Sequence, residues 1–170
     1  KIQDAREIVA IELVREILAG TWISMLNQSL RVRNDVTYWV SGNSSNFSDT
    51  GYVGFEFSCM PSRLKFALLT ATKDIDSIKR RMTDKNLLPY INSLASSTLR
   101  NNLTPEELLW WYGQMKITNR INLSPTDYVK ILKTITVSEV KNVIKKYLRI
   151  ENRSVIVVGP KSAKKTAVAL

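Results

Sequence analysis

The chain has 170 residues, of which 44% are hydrophobic and 24% are charged, with a formal net charge of +10. This size and balance are typical of one globular domain with a buried core. The sequence has no histidine and a single cysteine, Cys59, which excludes Ser-His or Cys-His catalysis, an imidazole zinc site and an internal disulfide within it. We expect Cys59 to be a buried structural thiol. No apolar run is long enough to predict a transmembrane segment.

The positive charge is concentrated in the second part of the chain. Residues 1–60 carry five Lys and Arg against seven Asp and Glu, whereas residues 61–170 carry twenty against eight. Such an asymmetry can indicate an anionic partner. The basic residues are scattered along helical patterns, however, and the aromatic residues do not alternate with them as stacking platforms would. We therefore expect solvated helix faces, and a nucleic-acid or anionic-surface binding module is the less favoured alternative.

The first part of the chain predicts two helices. Apolar residues recur at helical spacing in DAREIVAIELVREILAG, with Asp4 as a cap at its start and Gly20 at its end. A second helix is predicted to begin at Thr21 and to end close to Arg31.

A hairpin is predicted next. From Asp35 the hydrophobic period changes to two, and the turn residues of GNSSNFSDTG separate this run from a second alternating run, YVGFEFSCM. This pattern indicates two antiparallel strands with a long connection. Tyr38 and Trp39 then face opposite sides of the sheet, and we expect Trp39 to face the core.

The rest of the chain predicts five helices and a last strand. The segment PSRLKFALLTATKDIDSIKRR has helical spacing, and four further segments open on a Ser or Thr cap: TDKNLLPYINSLASSTLRNN, TPEELLWWYGQMK, SPTDYVKILKTI and TVSEVKNVIKKYL. In the second of these four we expect Trp111 and Tyr112 to face the core, while an exposed Trp110 would indicate contact with a companion domain. The apolar run in NRSVIVVGP predicts a buried strand.

This order of elements implies an α+β fold with one mostly antiparallel sheet covered by helices on one face. We expect a single domain over residues 1–160 and a flexible tail over residues 161–170.

The stretch SMLNQSLRVRNDVTYWV resembles a segment in the second half-domain of the insulinase and pitrilysin zinc metallopeptidases, a family that includes the mitochondrial processing peptidases. In that family a helix reading S-x-L-x-x-x-L-R is followed, seven residues after the arginine, by a strand that opens with tyrosine. The matching residues here are Ser24, Leu26, Leu30, Arg31 and Tyr38. The end of the chain, from TVSEV to the Gly-Pro after the apolar run, is also similar to the end of the family's domain. The resemblance extends over residues 4–160.

The resemblance implies a division of labour between two homologous α+β domains that face each other across a chamber. One domain binds zinc and supplies the general base through a helical His-x-x-Glu-His motif. Our chain resembles the facing, C-terminal domain, which binds no zinc. The resemblance implies that Arg31 and Tyr38 bind the main chain of a peptide substrate and stabilise the transition state. It also implies that zinc is bound by the companion domain, on the same polypeptide or on a separate subunit.

Two departures from the family pattern are visible. Asn34 and Asp35 stand where the family often has a basic residue and a glycine, and the strand that usually precedes the first helix has no counterpart here. Without the resemblance, Arg31 reads as a helix C-terminal charge and Tyr38 as an ordinary strand tyrosine, while Arg33 reads as a solvated charge in either case. A catalytically inactive scaffold homologue is the alternative within the family.

Overall fold

Helices make up most of the computed structural model, which describes residues 4–47, 49–118 and 120–161. The α-helices are α1 (Ala5–Ala19), α2 (Leu64–Arg81), α3 (Asp84–Arg100), α4 (Pro105–Gly113), α5 (Pro125–Leu132) and α6 (Val137–Tyr147). The strands are β1 (Val40–Asn46) and β2 (Gly51–Phe57). Two π-helical segments lie at Asn27–Arg33 and Gln114–Thr118, and two 3-10 turns lie at Pro61–Arg63 and Ile150–Asn152.

Helix α1 forms the centre of the core. Ten of its fifteen residues are buried, so it is covered on nearly all sides rather than along one stripe. Helices α3, α5 and α6 and strand β1 pack against it. The Asp4 carboxylate accepts a hydrogen bond from the Arg6 backbone N–H at 3.0 Å, and the Gly20 N–H donates to the Glu16 carbonyl. Both predicted caps of this helix are therefore confirmed.

The four predicted Ser/Thr caps are confirmed as well. In each case the side-chain hydroxyl accepts a hydrogen bond from a backbone N–H in the first turn of its helix: Thr83 for α3, Thr104 for α4, Ser124 for α5 and Thr136 for α6. In α4 and α6 the side chains of Glu107 and Glu139 also accept from the cap backbone, which completes a capping box. Local sequence thus determines where these helices begin.

An ion pair joins the start of α1 to the start of α6. The Arg6 guanidinium donates through Nε and Nη2 to the Glu139 carboxylate, and it also donates to the Thr134 carbonyl at 2.8 Å. The hydrogen bonds from Arg6 lower the pKa of Glu139 to about 2, with a further contribution from the Thr136 backbone. The start of the first helix is thus tied to the start of α6.

The sheet is smaller than predicted. Within the described residues it contains β1 and β2 alone, paired antiparallel with Val40 opposite Phe57. The α+β class is confirmed. The prediction of one main sheet with helices covering one face is wrong, because the sheet has only two strands in the described residues and helices predominate there. The last predicted strand is also wrong, because residues 154–158 have no regular structure and Ile156 and Val158 are 88% and 95% exposed. Apolar β-branched residues favour a strand only where a neighbour completes the hydrogen-bond ladder.

The predicted second helix is interrupted at its start. Residues 21–24 form a turn, and the helical backbone that follows is largely the π-helical segment Asn27–Arg33. The Asn27 side chain donates to the Thr21 carbonyl at 2.9 Å, and so it occupies an acceptor that a continuous helix would use. Two nearby predictions are corrected too, since Tyr38 lies two residues before β1 and Trp39 is exposed.

The two adjacent tryptophans of α4 face different environments. The Trp111 indole N–H donates to the Leu123 carbonyl at 2.7 Å. The rings of Trp111 and the buried Tyr128 pack in a T-shaped arrangement, with their centroids 5.3 Å apart. Trp110 is 66% exposed, and Tyr112 is also exposed. The predicted core-facing orientation is therefore right for Trp111 and wrong for Tyr112.

The described residues include only part of the predicted domain's ends. The predicted tail lies outside the described residues apart from Lys161, and the single domain over residues 1–160 stays a prediction. None of the helices in the described ranges is long and apolar enough to cross a membrane.

Glu139→Gln tests the tie between α1 and α6. We expect the variant to unfold at a lower urea concentration near neutral pH, because a neutral amide cannot pair with Arg6. The folded-state pKa of Glu139 is lowered from 4.5 to about 2, so its stabilising effect is present above the unfolded pKa and is lost as the pH falls from 4.5 toward 2. Urea titrations across this range measure the effect, with the exposed Glu106→Gln as control. A stability difference that stays constant with pH would contradict the assignment.

Candidate functional site

A shallow cleft, largely open to solvent, lies between the end of the first π-helical segment, the loop before β1 and the residues after β2. Its volume is about 650 Å³, and Arg31, Asp35, Tyr38, Cys59 and Met60 are among the residues that line it. Both candidate site residues from the sequence therefore lie on one concave surface, although Tyr38 is not in a strand. Clefts that combine apolar walls with a few polar groups are common binding sites.

The Arg31 guanidinium lies against two aromatic rings. Its central carbon is 3.8 Å from the centroid of the Trp22 ring and 4.8 Å from the centroid of the Tyr38 ring. Both distances are within the range of cation–π attraction. Within the described ranges, the guanidinium donates no hydrogen bond and pairs with no carboxylate. Its N–H donors are thus available to a ligand in the cleft.

A tight turn positions Arg31 relative to Tyr38. The Asp35 N–H donates to the Arg31 carbonyl at 3.1 Å, and the Val36 N–H donates to the Leu30 carbonyl at 2.7 Å. Asp35 adopts a φ of 46°, the left-handed conformation in which glycine is favoured. The aspartate that stands in place of the family's glycine therefore takes up the conformation that a glycine would supply.

Neighbouring side chains direct Tyr38 outward. Val36 and Thr37 are buried, and the Thr37 hydroxyl donates to the Trp39 carbonyl at 2.7 Å, which fixes the bend at residue 38. Tyr38 is 79% exposed as a result. Arg33, predicted to be a solvated charge, is exposed and donates to the Gln28 carbonyl at 3.2 Å.

Trp22 is the residue of this site that sequence reasoning missed. The sequence predicts a helix that begins at Thr21 and so includes Trp22, whereas Trp22 lies in the turn at residues 21–24 and is 64% exposed. No pattern in the sequence pairs it with Arg31, because the contact depends on the interruption of the helix between them.

Cys59 lies in the cleft but has no sign of reactivity. It is half-buried rather than fully buried, and burial raises the pKa of its thiol. A raised pKa keeps the sulfur protonated near neutral pH, which disfavours attack by a thiolate. The expectation of a structural thiol is therefore consistent with its surroundings.

The described residues do not fit a zinc site. Nowhere in residues 4–47, 49–118 and 120–161 do three or more Cys, Asp or Glu side chains lie close enough to hold a metal ion, and the sequence has no histidine. Zinc in proteins is bound by such side chains, most often four in structural sites and three in catalytic sites. The cleft can offer hydrogen-bond donors and apolar contacts, and not a metal centre.

The chain is similar to several known proteins, three of which illustrate the likeness. A protein of Streptomyces coelicolor, an uncharacterized zinc protease by name, is 24% identical over 152 residues, which are 89% of this chain and 33% of that protein. The peptidase M16 inactive domain from Pseudomonas fluorescens matches 86% of this chain and 35% of its own, with a TM-score of 0.71 and 20% identity. A chain of complex III2 from Candida albicans matches 85% of this chain and 37% of its own, with a TM-score of 0.72 and 12% identity.

These likenesses confirm the predicted resemblance to zinc metallopeptidases of the insulinase type, and the fold is that of a peptidase inactive domain. No protein-family model matches the chain. The chain spans about a third of the length of each of the three relatives.

Substitution of Asp35 tests the turn that sets the spacing of the site. We expect Asp35→Val to lower the free energy of unfolding by about 1 to 2 kcal/mol, because a β-branched residue is strained at this positive φ. Asp35→Gly should stay within about 1 kcal/mol of the parent chain, since glycine adopts this conformation freely but loses more entropy on folding. Urea unfolding measures both, with Glu56→Val on β2 as a control at ordinary strand geometry. Equal stability of the valine and glycine variants would contradict the assigned turn.

Proposed function

We propose that this chain is the non-zinc-binding half of an insulinase-like zinc metallopeptidase, where it helps to bind a peptide substrate opposite a zinc-bearing domain. One observation carries the proposal: the Arg31 guanidinium lies on a cleft with its donors unpaired in the described chain, beside an exposed Tyr38 at the family's spacing. The likeness to a zinc protease and to a peptidase inactive domain supports it.

The chemistry of the two side chains suits this role. A guanidinium stays charged at all relevant pH values and offers five N–H donors in a fixed plane, while a phenol offers one O–H donor on a rigid ring. Donors of this kind bind the carbonyl oxygens of an extended peptide. They also stabilise negative charge that develops on a carbonyl oxygen during hydrolysis, provided that they are positioned in advance.

Catalysis would require a second domain. The chain has neither histidine nor a cluster that fits zinc in its described residues, so a homologous domain with a His-x-x-Glu-His motif would supply the metal and the base. In this proposal Arg31 and Tyr38 act on the substrate from the opposite side of the chamber. That domain would be part of the same polypeptide or a separate subunit.

A scaffold role without peptide binding is the second candidate. It is favoured by the likeness of this fold to a chain of complex III2 from Candida albicans, which is a complex by name. In a scaffold, Arg31 and Tyr38 would be surface residues, and their replacement would leave assembly and function unchanged.

Arg31→Met is the decisive substitution. We expect it to weaken the binding of fluorescently labelled, extended peptides to the purified chain by about tenfold or more, because a hydrogen bond to a charged group contributes about 1.5 to 3 kcal/mol. Tyr38→Phe should weaken binding less, because it removes a single neutral donor. Fluorescence anisotropy titrations measure these affinities.

The matched control is Arg81→Met, which makes the same change in charge at an exposed position at the end of α2. This variant should bind peptides as the parent chain does. If Arg31→Met and Arg81→Met bind equally well, or if the parent chain binds no peptide, the proposed peptide site is wrong and the scaffold role gains support.

A further inference from the structure

We infer that Trp22 is a positioning residue that holds the Arg31 guanidinium in the orientation in which it receives its ligand. The inference rests on the proposed function, because it concerns the same cleft. It goes further by assigning a role to a residue that lies outside the arginine-to-tyrosine spacing.

The contact between Trp22 and Arg31 is the closer of the two aromatic contacts at this site. The guanidinium carbon lies 3.8 Å from the Trp22 ring centroid, compared with 4.8 Å for Tyr38. Of the aromatic side chains, tryptophan attracts a cation most strongly. Trp22 therefore holds the guanidinium more firmly than Tyr38 does, and the Tyr38 hydroxyl stays available as a donor.

Three successive backbone carbonyl groups around Trp22 each accept a hydrogen bond from a side chain. The side-chain amide of Asn27 donates to the Thr21 carbonyl at 2.9 Å, and that of Gln28 donates to the Trp22 carbonyl at 2.7 Å. The Tyr90 hydroxyl donates to the Ile23 carbonyl at 3.2 Å. An exposed turn would otherwise be mobile. These bonds fix the turn from two sides, so the Trp22 ring is presented at a defined place.

An aromatic contact has an advantage over an ion pair as a means of holding an arginine. A carboxylate partner would bind the N–H donors and cancel the charge that a ligand needs. A ring contacts the flat face of the guanidinium and leaves the N–H groups at its edge unused. An unrestrained arginine has several rotatable bonds, and ordering it on binding would lower the affinity for the ligand.

A double-mutant cycle tests the inference. We expect Trp22→Ala to weaken peptide binding by about two- to fivefold, in line with the strength of an exposed cation–π contact. Trp22→Phe should recover most of this loss, since a smaller ring keeps part of the contact. In an Arg31→Met background, Trp22→Ala should have no further effect, because the residue acts through the guanidinium. Anisotropy titrations with the same labelled peptides measure all four combinations.

A spectroscopic readout separates positioning from a general structural role. The Arg31 side-chain N–H resonance should be shifted by the ring current of Trp22 in the parent chain, and this shift should be lost in Trp22→Ala. Trp110→Ala is the matched control, because Trp110 is 66% exposed on α4 and is not one of the described residues that line the cleft. This control should change neither the resonance nor peptide binding. Unchanged urea midpoints would show that the variants are folded.

Three outcomes would overturn the inference. Trp22→Ala could leave affinity unchanged while Arg31→Met weakens it, which would mean that the ring contact does not orient the arginine. Trp22→Ala could weaken binding equally in both backgrounds, which would mean that the ring contacts the peptide itself. Arg31→Met could leave binding unchanged, in which case the proposed function fails first and the positioning role fails with it.

Discussion

Helix α1 is buried on nearly all sides, and its neighbours are positioned by packing against it. Helices α3, α5 and α6 and strand β1 each cover part of it, so the helix cannot shift without exposing apolar surface to water. Its end is equally constrained. A Cβ atom at Gly20 would lie 2.0 Å from a carboxylate oxygen of Glu16, and this carboxylate is buried and accepts a hydrogen bond from Ser93. The turn that contains Trp22 begins directly after Gly20.

The candidate site lies in a stretch of irregular backbone. The turn at residues 21–24, a π-helical segment and a left-handed aspartate follow one another within sixteen residues of Gly20. π-helical segments are energetically poorer than α-helices and occur often at functional sites. Here the segment ends with Arg31 and Asp35 joined by a backbone hydrogen bond, and the bend at Tyr38 follows. The core supports this irregular backbone, which an isolated segment would not maintain.

Sequence reasoning succeeded where structure is determined locally and failed where it depends on distant partners. The caps at Asp4, Thr104 and Thr136 are local, because a short side chain bonds to a backbone N–H two or three residues away. The interruption at Thr21 depends on a side-chain bond from Asn27, which hydrophobic periodicity cannot detect. The length and β-branching of the apolar run in NRSVIVVGP predict a strand, and the described chain provides no partner for it. The Arg31–Tyr38 spacing was visible in the sequence, whereas the contact with Trp22 was not.

For the same reason, the candidate site is proposed from its contacts rather than from its residue types. An arginine at the end of a helix commonly serves the helix itself, through attraction to the last carbonyl groups. Arg31 could do so only by pointing its N–H groups back along the π-helical segment, and it makes no such hydrogen bond within the described residues. Its charge is instead placed over two exposed rings at the edge of a cleft. An arginine held in this way, with its N–H donors unpaired in the described chain, is better placed to bind an external acceptor than to stabilise its own fold.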